Sequence, residues 1–336
     1  MVEISHLSKN YGDKKAVNDI SFSVEEGEIM GFLGPNGAGK STTLNILTGF
    51  LSATSGSAKI DGIDILEQPL EAKKLIGFLP EIPPLYPDMT VAEYMNFCYE
   101  LKGCKLPRKQ HLHEIGEVVK IADVNKRLIK NLSKGYRQRV GIAQALIGNP
   151  KVLIFDEPTI GLDPKQIIEI RNLIKHLGKN HTVILSTHIL PEVQAVCDRI
   201  VIINKGRIVA NEKTENLVNA VDGTRRLVAK IVGPEDQVLQ LLRSTQGVKF
   251  ADKLGRRDTD SVSYLIESQE NVDIRKPLFY ALARASYPLI GLEGDELNLE
   301  DIFMRLVDPQ KKEKTEKRRR NASQAPEAGK RSGEKQ

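Results

Sequence analysis

Cysteine is scarce in this chain. Its three cysteines in 336 residues, Cys98, Cys104 and Cys197, share no spacing that would hold a metal or form a redox pair. That argues against thiol-based chemistry and fits a reducing compartment. Long hydrophobic runs are missing too. The longest uninterrupted apolar stretch is six residues, Leu278 to Ala283, against the roughly 20 that carry a helix across a bilayer. The chain is therefore expected to hold no membrane domain. Nor is a secretory leader expected, because Met1-Val2-Glu3-Ile4 reads as the start of a strand. The expected compartment is the cytoplasm. An even excess of one charge is also absent. The formal net charge is +5, but ten Lys/Arg against four Glu from Lys311 to Gln336 put +6 in that tail and leave −1 on the rest. The tail, with Lys317-Arg318-Arg319-Arg320 and later Ser, Pro and Gly, lacks apolar periodicity and reads as disordered. Its first reading is a solubilising segment, with weak contact to anionic lipid as the alternative.

What is present is a glycine-rich loop. Gly34-Pro35-Asn36-Gly37-Ala38-Gly39-Lys40-Ser41-Thr42 matches the phosphate-loop pattern G-x-x-x-x-G-K-[ST]. Glycines at this spacing let successive backbone N–H groups turn inward around phosphate oxygens. Lys40 is placed to reach the β- and γ-phosphates, and the Ser41 hydroxyl to ligate Mg²⁺. The flanks agree: Glu28 to Leu33 reads as a buried strand, and Ser41 to Leu47 as a helix whose N-terminus faces the anion.

Two further stretches extend the chemistry. Val152 to Phe155 is a short apolar strand ending in Asp156 and Glu157, at the strand end where open α/β sheets bind ligands. Asp156 would support a Mg²⁺ shell, and Glu157 would polarise an attacking water. Ser133 is a good N-cap for the apolar-periodic helix carrying Val140, Ile142, Ala143, Ala145 and Leu146. A Ser-Lys-Gly turn opening a helix is a second anion-binding end.

Taken in order, these motifs resemble the ATP-binding subunits of ATP-binding-cassette transporters, over Met1 to about Asn211. The resemblance implies that Tyr11 stacks on adenine and that Gly34 to Thr42 form the Walker A loop. It implies that Glu81 stands where the family usually has a metal-sensing glutamine, and that Leu132 to Gln138 form the signature motif. Asp156 and Glu157 match Walker B and the catalytic acid, Gly161-Leu162-Asp163-Pro164 the D-loop, and His188 the switch histidine that contacts the γ-phosphate. Ser41, Glu81 and Asp156 are the expected Mg²⁺ residues. Ser133 and Gly135 would touch ATP held by an opposing subunit. Three sequence departures stand out, one of them Tyr136 in place of the usual signature glutamine. A carboxylate at Glu81 brings charge to the metal where glutamine brings a neutral carbonyl, and Lys134 replaces a signature glycine, either adding charge near phosphate or pointing to solvent.

The expected fold is α/β: a P-loop NTPase with a RecA-like core, antiparallel β and helical subdomains, and a small C-terminal α+β domain of ferredoxin-like order. The expected divisions are an ATP-binding domain over 1–215 with its helical part at about 82–150, an accessory domain over 221–308, and a basic tail over 309–336. Thr90-Val91-Ala92-Glu93 is a capping box opening an amphipathic helix. By resemblance, the groove near Pro83 to Tyr86 would receive a membrane partner. Strands are expected at Leu227 to Val232, Gly247 to Phe250, Val262 to Ile266 and Pro288 to Leu292, with helices at Pro234 to Leu242 and Ile274 to Ala285. Leu299 to Phe303 resembles the end of the C-terminal extension of ABC-2-type exporter ATPases.

The leading expectation is an ATPase subunit of an ABC-2-type exporter, in the branch that includes gliding-motility-associated ATP-binding subunits. It would bind ATP and Mg²⁺, pair with a second copy or a related ATPase subunit, and sit on the cytoplasmic face beneath a separate multi-span membrane subunit. The alternative is a soluble cassette ATPase acting on ribosomes or nucleic acid. Such proteins usually carry two cassettes or a long coiled-coil insertion, and this chain has neither, so nucleic acid is not an expected partner.

Overall fold

The computed structural model describes residues 1–214, 226–256, 260–269 and 272–294. The expected segment Leu299 to Phe303 and the basic tail lie outside the described residues. Contacts divide the chain into two compact units, Met1–Asn216 and Leu217–Gln336.

The first unit is built on two sheets. Strands β1 (Val2–Tyr11), β2 (Lys14–Val24), β4 (Ser55–Ile60) and β5 (Ile63–Asp64) form an antiparallel sheet in the order β2-β1-β4-β5. The second sheet holds β3 (Ile29–Leu33), β6 (Ile76–Leu79), β7 (Val152–Asp156), β8 (Thr182–Thr187), β9 (Arg199–Asn204) and β10 (Arg207–Lys213). Its order is β10-β9-β3-β8-β7-β6, with all pairs parallel except β10 against β9. Every residue of β3, β7 and β8 is buried, which is why these segments read as unbroken apolar runs and not as alternating ones. A core of Val2, Leu7, Val17, Ile20, Phe22, Phe32, Leu44, Leu47 and Ile184 joins the two sheets, with Phe22 stacked on Phe32 at 5.5 Å between ring centroids.

Helices close the sheet faces and carry the motifs. Helix α1 (Lys40–Leu47) follows the glycine loop and α2 (Pro69–Lys74) precedes β6. Helix α3 (Val91–Leu101) opens on the expected capping box: the Glu93 carboxylate accepts from Thr90 N at 2.7 Å, and Thr90 Oγ1 accepts from Glu93 N at 3.2 Å. After α4 (Arg108–Val118), α5 (Lys134–Leu146) starts at its Ser133 cap. Helix α6 (Pro164–Leu177) starts at Asp163, whose carboxylate accepts from Gln166 N at 2.9 Å, with Pro164 in the first turn. Helix α7 (Leu190–Val196) lies against β3.

That last contact depends on Gly31 lacking a side chain. A Cβ there would fall well inside van der Waals contact of Val193 and against Cys197 Sγ. Gly31→Ala is expected to push α7 off the strand and destabilise the fold by about 1–3 kcal/mol, the usual cost of overpacking. Urea unfolding with an unchanged m-value would measure it.

The second unit contains β11 (Arg226–Ile231), α8 (Glu235–Ser244), β12 (Val248–Arg256), β13 (Val262–Ser268), α9 (Arg275–Arg284) and β14 (Leu289–Gly294). Its sheet order is β12-β13-β11-β14, antiparallel at every junction. β13 therefore lies between β11 and β12, the split β-α-β arrangement of ferredoxin-like domains. The core is Leu227, Ala229 and Ile231 from β11, Tyr264 and Ile266 from β13, and Val238, Leu242, Leu278 and Leu282 from the helices. β12 runs six residues beyond the expected end at Phe250, through Asp252, Lys253 and Gly255. Pairing with β13 holds these polar residues in the ladder, so the partner strand outweighs their weak local propensity.

Candidate functional site

The parallel sheet brings the chemistry together. β3, β8, β7 and β6 are consecutive neighbours pointing the same way. The glycine loop, His188, Asp156-Glu157 and Glu81 follow their C-terminal ends, so they gather at one edge. A cavity of about 550 Å³ lies there, lined by Tyr11, Asn36, Gly37, Gly39, Lys40, Ser41, Thr42, Glu81, Glu157 and His188. Gly34, Pro35, Ala38 and Asp156 are not part of this lining. Ser133, Gly135 and Asp163 do not reach it within one chain.

The loop needs glycine at Gly39 for two reasons. Its φ is +115°, and a Cβ would meet the Ala16 carbonyl oxygen at 2.6 Å. Gly39 is also the residue preceding α1, which begins at Lys40, one residue ahead of the sequence expectation. Lys40 folds back over the loop. Its Nζ donates to Gly34 O at 2.7 Å and stands 3.7 Å from Glu157 Oε1, with both side chains 7% exposed. Burial holds the Lys40 pKa below its ordinary value, opposed by the charges of Glu157, Asp156 and Glu81.

The carboxylates are held from β8. Ser186 Oγ donates to Asp156 Oδ1 at 2.7 Å, and Thr187 Oγ1 lies 3.2 Å from Glu157 Oε2. His188 Nδ1 donates to Glu157 Oε1 at 2.9 Å. Glu157 itself has φ +49°, an uncommon conformation for a non-glycine residue that persists where surrounding contacts over-determine it. Its backbone N–H donates to Ser186 O at 2.9 Å.

Sequence reasoning missed Lys14, Ala16 and Ile160, which also line the cavity. Lys14 was within reach: a two-residue turn after Tyr11 makes Lys14 its cross-strand partner. Lys9 adds a cation over the Tyr11 ring, 5.5 Å from its centroid.

The donor set suits a hard divalent cation. Ser41 and Glu81 face the cavity, and Asp156 offers a second oxygen beside the one bonded to Ser186. No cluster of three or more His, Cys, Asp or Glu that could hold a metal forms among the described residues. Mg²⁺ does not require one, because it is commonly held by one or two carboxylates with phosphate oxygens and water.

Ser133 and Gly135 line a separate cavity of about 210 Å³ with Tyr136, Arg139, Gln166 and Glu169. Lys134 is exposed, and its ammonium lies over Gly161, where a Cβ would collide with it.

Comparison with known proteins agrees with this geometry. Residues 17–160 match the family model for ABC transporters. The chain is 36% identical over 279 residues to the uncharacterized ABC transporter ATP-binding protein YhcH of Bacillus subtilis, covering 80% of this chain and 89% of that one. It is 32% identical over 315 residues to the linearmycin resistance ATP-binding protein LnrL of Bacillus subtilis, covering 91% and 98%. With the bacitracin transport ATP-binding protein BcrA of Bacillus licheniformis it shares 39% identity over 210 residues, covering 62% and 68%. Among solved structures, an ATP-binding subunit of an ABC transporter superposes with a TM-score of 0.60 at 28% identity, covering 65% of this chain and 92% of that one. A dimeric cassette in a post-hydrolysis state with ADP and Pi superposes at 0.58 and 29% identity, covering 64% and 99%. A phosphate loop and an Asp-Glu strand end on one sheet edge, with two relatives matched over 89% and 98% of their length, place this chain among the ATP-binding subunits of ABC transporters, which are ATPases.

Proposed function

We propose that this chain is the ATP-hydrolysing subunit of an ABC-2-type exporter. The observation that carries this reading is the likeness to a linearmycin resistance ATP-binding protein over 91% of the chain, which extends past the cassette into the second unit. The bacitracin transport relative points the same way. In this reading residues 1–215 are the cassette, 221–308 an accessory module of regulatory or dimerising role, and 309–336 a basic tail.

Each residue then has a task. Tyr11 stacks on adenine, the backbone of Gly34 to Thr42 cradles the phosphates, and Lys40 exchanges the Gly34 carbonyl for phosphate oxygens. Ser41, Asp156 and Glu81 would hold Mg²⁺, which when bound neutralises charge on the β- and γ-phosphates. Glu157 polarises the attacking water, and His188 orients Glu157 and reaches toward the γ-phosphate. Ser133 and Gly135 lie apart from the nucleotide cavity, which supports their acting on ATP held by a second subunit, with Asp163 near the same junction. Two subunits would close on two ATP molecules, and ATP favours the closed pair through the contacts it makes only there.

The membrane partner is a separate multi-span subunit. No helix among the described residues is long and apolar enough to cross a membrane. Ile82, Tyr86, Phe97 and Leu101 around α3 are exposed apolar residues, a surface suited to an apolar segment of that partner on the cytoplasmic face. The alternative, an ATPase acting on ribosomes or nucleic acid, has no feature among the described residues in its favour. The test is a mild-detergent pull-down from native membranes with mass spectrometry. A co-purifying multi-span protein is expected, and recovery with ribosomal or nucleic-acid-bound proteins alone would overturn the exporter reading.

A further inference from the structure

Behind the cavity wall lies a buried polar cluster to which the roles above give no part. Glu192, on α7, is 1% exposed. A carboxylate this deep must be paired or hydrogen-bonded. The Thr159 hydroxyl donates to its Oε1, and Arg171 Nη2 stands 3.9 Å from the same oxygen. The Thr187 hydroxyl stands 3.1 Å from Oε2. That same hydroxyl is 3.2 Å from Glu157 Oε2.

A threonine hydroxyl carries one proton and donates to one carboxylate at a time. Glu157 and Glu192 therefore compete for it. The Thr187 oxygen meanwhile accepts from Ile189 N at 3.1 Å, which fixes the backbone just after His188. We propose that Glu192 is a positioning residue for ATP hydrolysis: it draws the Thr187 proton to itself and leaves Glu157 Oε2 open to polarise water.

The inference rests on the role given to Glu157 above. Its other oxygen already accepts from His188 at 2.9 Å, and a hydroxyl donating to Oε2 as well would lower the basicity left on the carboxylate for polarising water. Glu192 supplies the competing acceptor. Thr159, which also donates to Glu192, sits two residues after Glu157 and immediately before Ile160-Gly161.

The test is a cycle on the full-length chain, with steady-state ATP hydrolysis and ATP binding measured for each variant. Glu192→Gln keeps the volume but removes the charge that attracts the Thr187 proton. It is expected to lower kcat about tenfold, with KM for ATP and ATP affinity within about twofold. Glu192→Asp keeps the charge and is expected to stay within about threefold of the native kcat. The deciding result is rescue. Adding Thr187→Val to Glu192→Gln removes the misdirected hydroxyl and should restore most of the lost turnover, so the double variant is faster than Glu192→Gln alone. Losses that multiply in the double variant, or Glu192→Asp as slow as Glu192→Gln, would overturn the proposal. Should Glu192→Gln fail to fold, as circular dichroism would show, Glu192→Asp combined with Thr187→Val reads the same competition, and multiplying losses there overturn it equally; a folded Glu192→Gln that loses ATP binding overturns it too. Glu157→Gln runs alongside as a reference. If that variant turned over normally, the role of Glu157 itself would fail, a result independent of how Glu192 and Thr187 interact.

Discussion

Glu157→Gln is expected to cut ATP turnover by at least about a hundredfold while ATP affinity changes by no more than about twofold. The substitution keeps the side-chain volume. It removes the negative charge that a polarised water needs and places an amide donor on one of the two oxygen positions. The surroundings are set for a carboxylate: His188 Nδ1 donates at 2.9 Å, Thr187 Oγ1 lies at 3.2 Å and Lys40 Nζ at 3.7 Å. All three lose electrostatic attraction when the charge goes, yet the phosphate loop keeps its own donors, so binding should survive the loss of chemistry. ATP that binds and is not hydrolysed favours whichever state gains most contacts from it. If Ser133 and Gly135 serve a second subunit's ATP, the variant should accumulate as an ATP-dependent dimer. Size-exclusion chromatography in saturating ATP, with phosphate release measured in parallel, checks both halves. A variant that stays monomeric would sink the two-subunit sandwich for the isolated chain.

The parts of this site that sequence made legible are those whose signal is local. The phosphate loop, the strand ending at Asp156 and the Thr90-Glu93 capping box each lie within a few residues; Val152–Asp156 forms as a strand and the capping box makes both of its hydrogen bonds. β3, β7 and β8 were readable because full burial on both faces leaves an unbroken apolar run. What stayed hidden depends on distant residues meeting. Thr187 reaches Glu157 across thirty positions in the chain, and no local pattern announces that its hydroxyl is shared with Glu192. Side-chain direction is hidden in the same way: nothing local announces that the Lys134 ammonium lies over Gly161. In β12, Asp252, Lys253 and Gly255 look like a loop until β13 is there to pair with them. Periodicity reports burial well, but it does not report which buried polar groups share a proton.

Lys40→Met carries the other large expectation: ATP affinity should fall about a hundredfold or more. Losing a buried charge-assisted contact to phosphate costs at least about 2–3 kcal/mol, and each 1.4 kcal/mol is about tenfold in affinity. The pH dependence gives the prediction a second edge. Burial lowers the Lys40 pKa in the folded chain without nucleotide, so folding there disfavours the proton. The resulting penalty is fully present below the folded pKa and fades as pH rises toward the unfolded value of 10.5. Native stability should therefore gain over that window a contribution that Lys40→Met lacks, which thermal melts of both proteins at neutral and alkaline pH would reveal. Phosphate reverses the sign. Bound ATP attracts the proton on Lys40, so native affinity should weaken as pH rises through the folded pKa, while the residual affinity of Lys40→Met should lack that component. Titration calorimetry on both proteins across the same range measures it. A Lys40→Met variant that binds ATP within about threefold of the native chain would remove Lys40 from the phosphate site, because no group holding a triphosphate could be lost for less than about 1 kcal/mol.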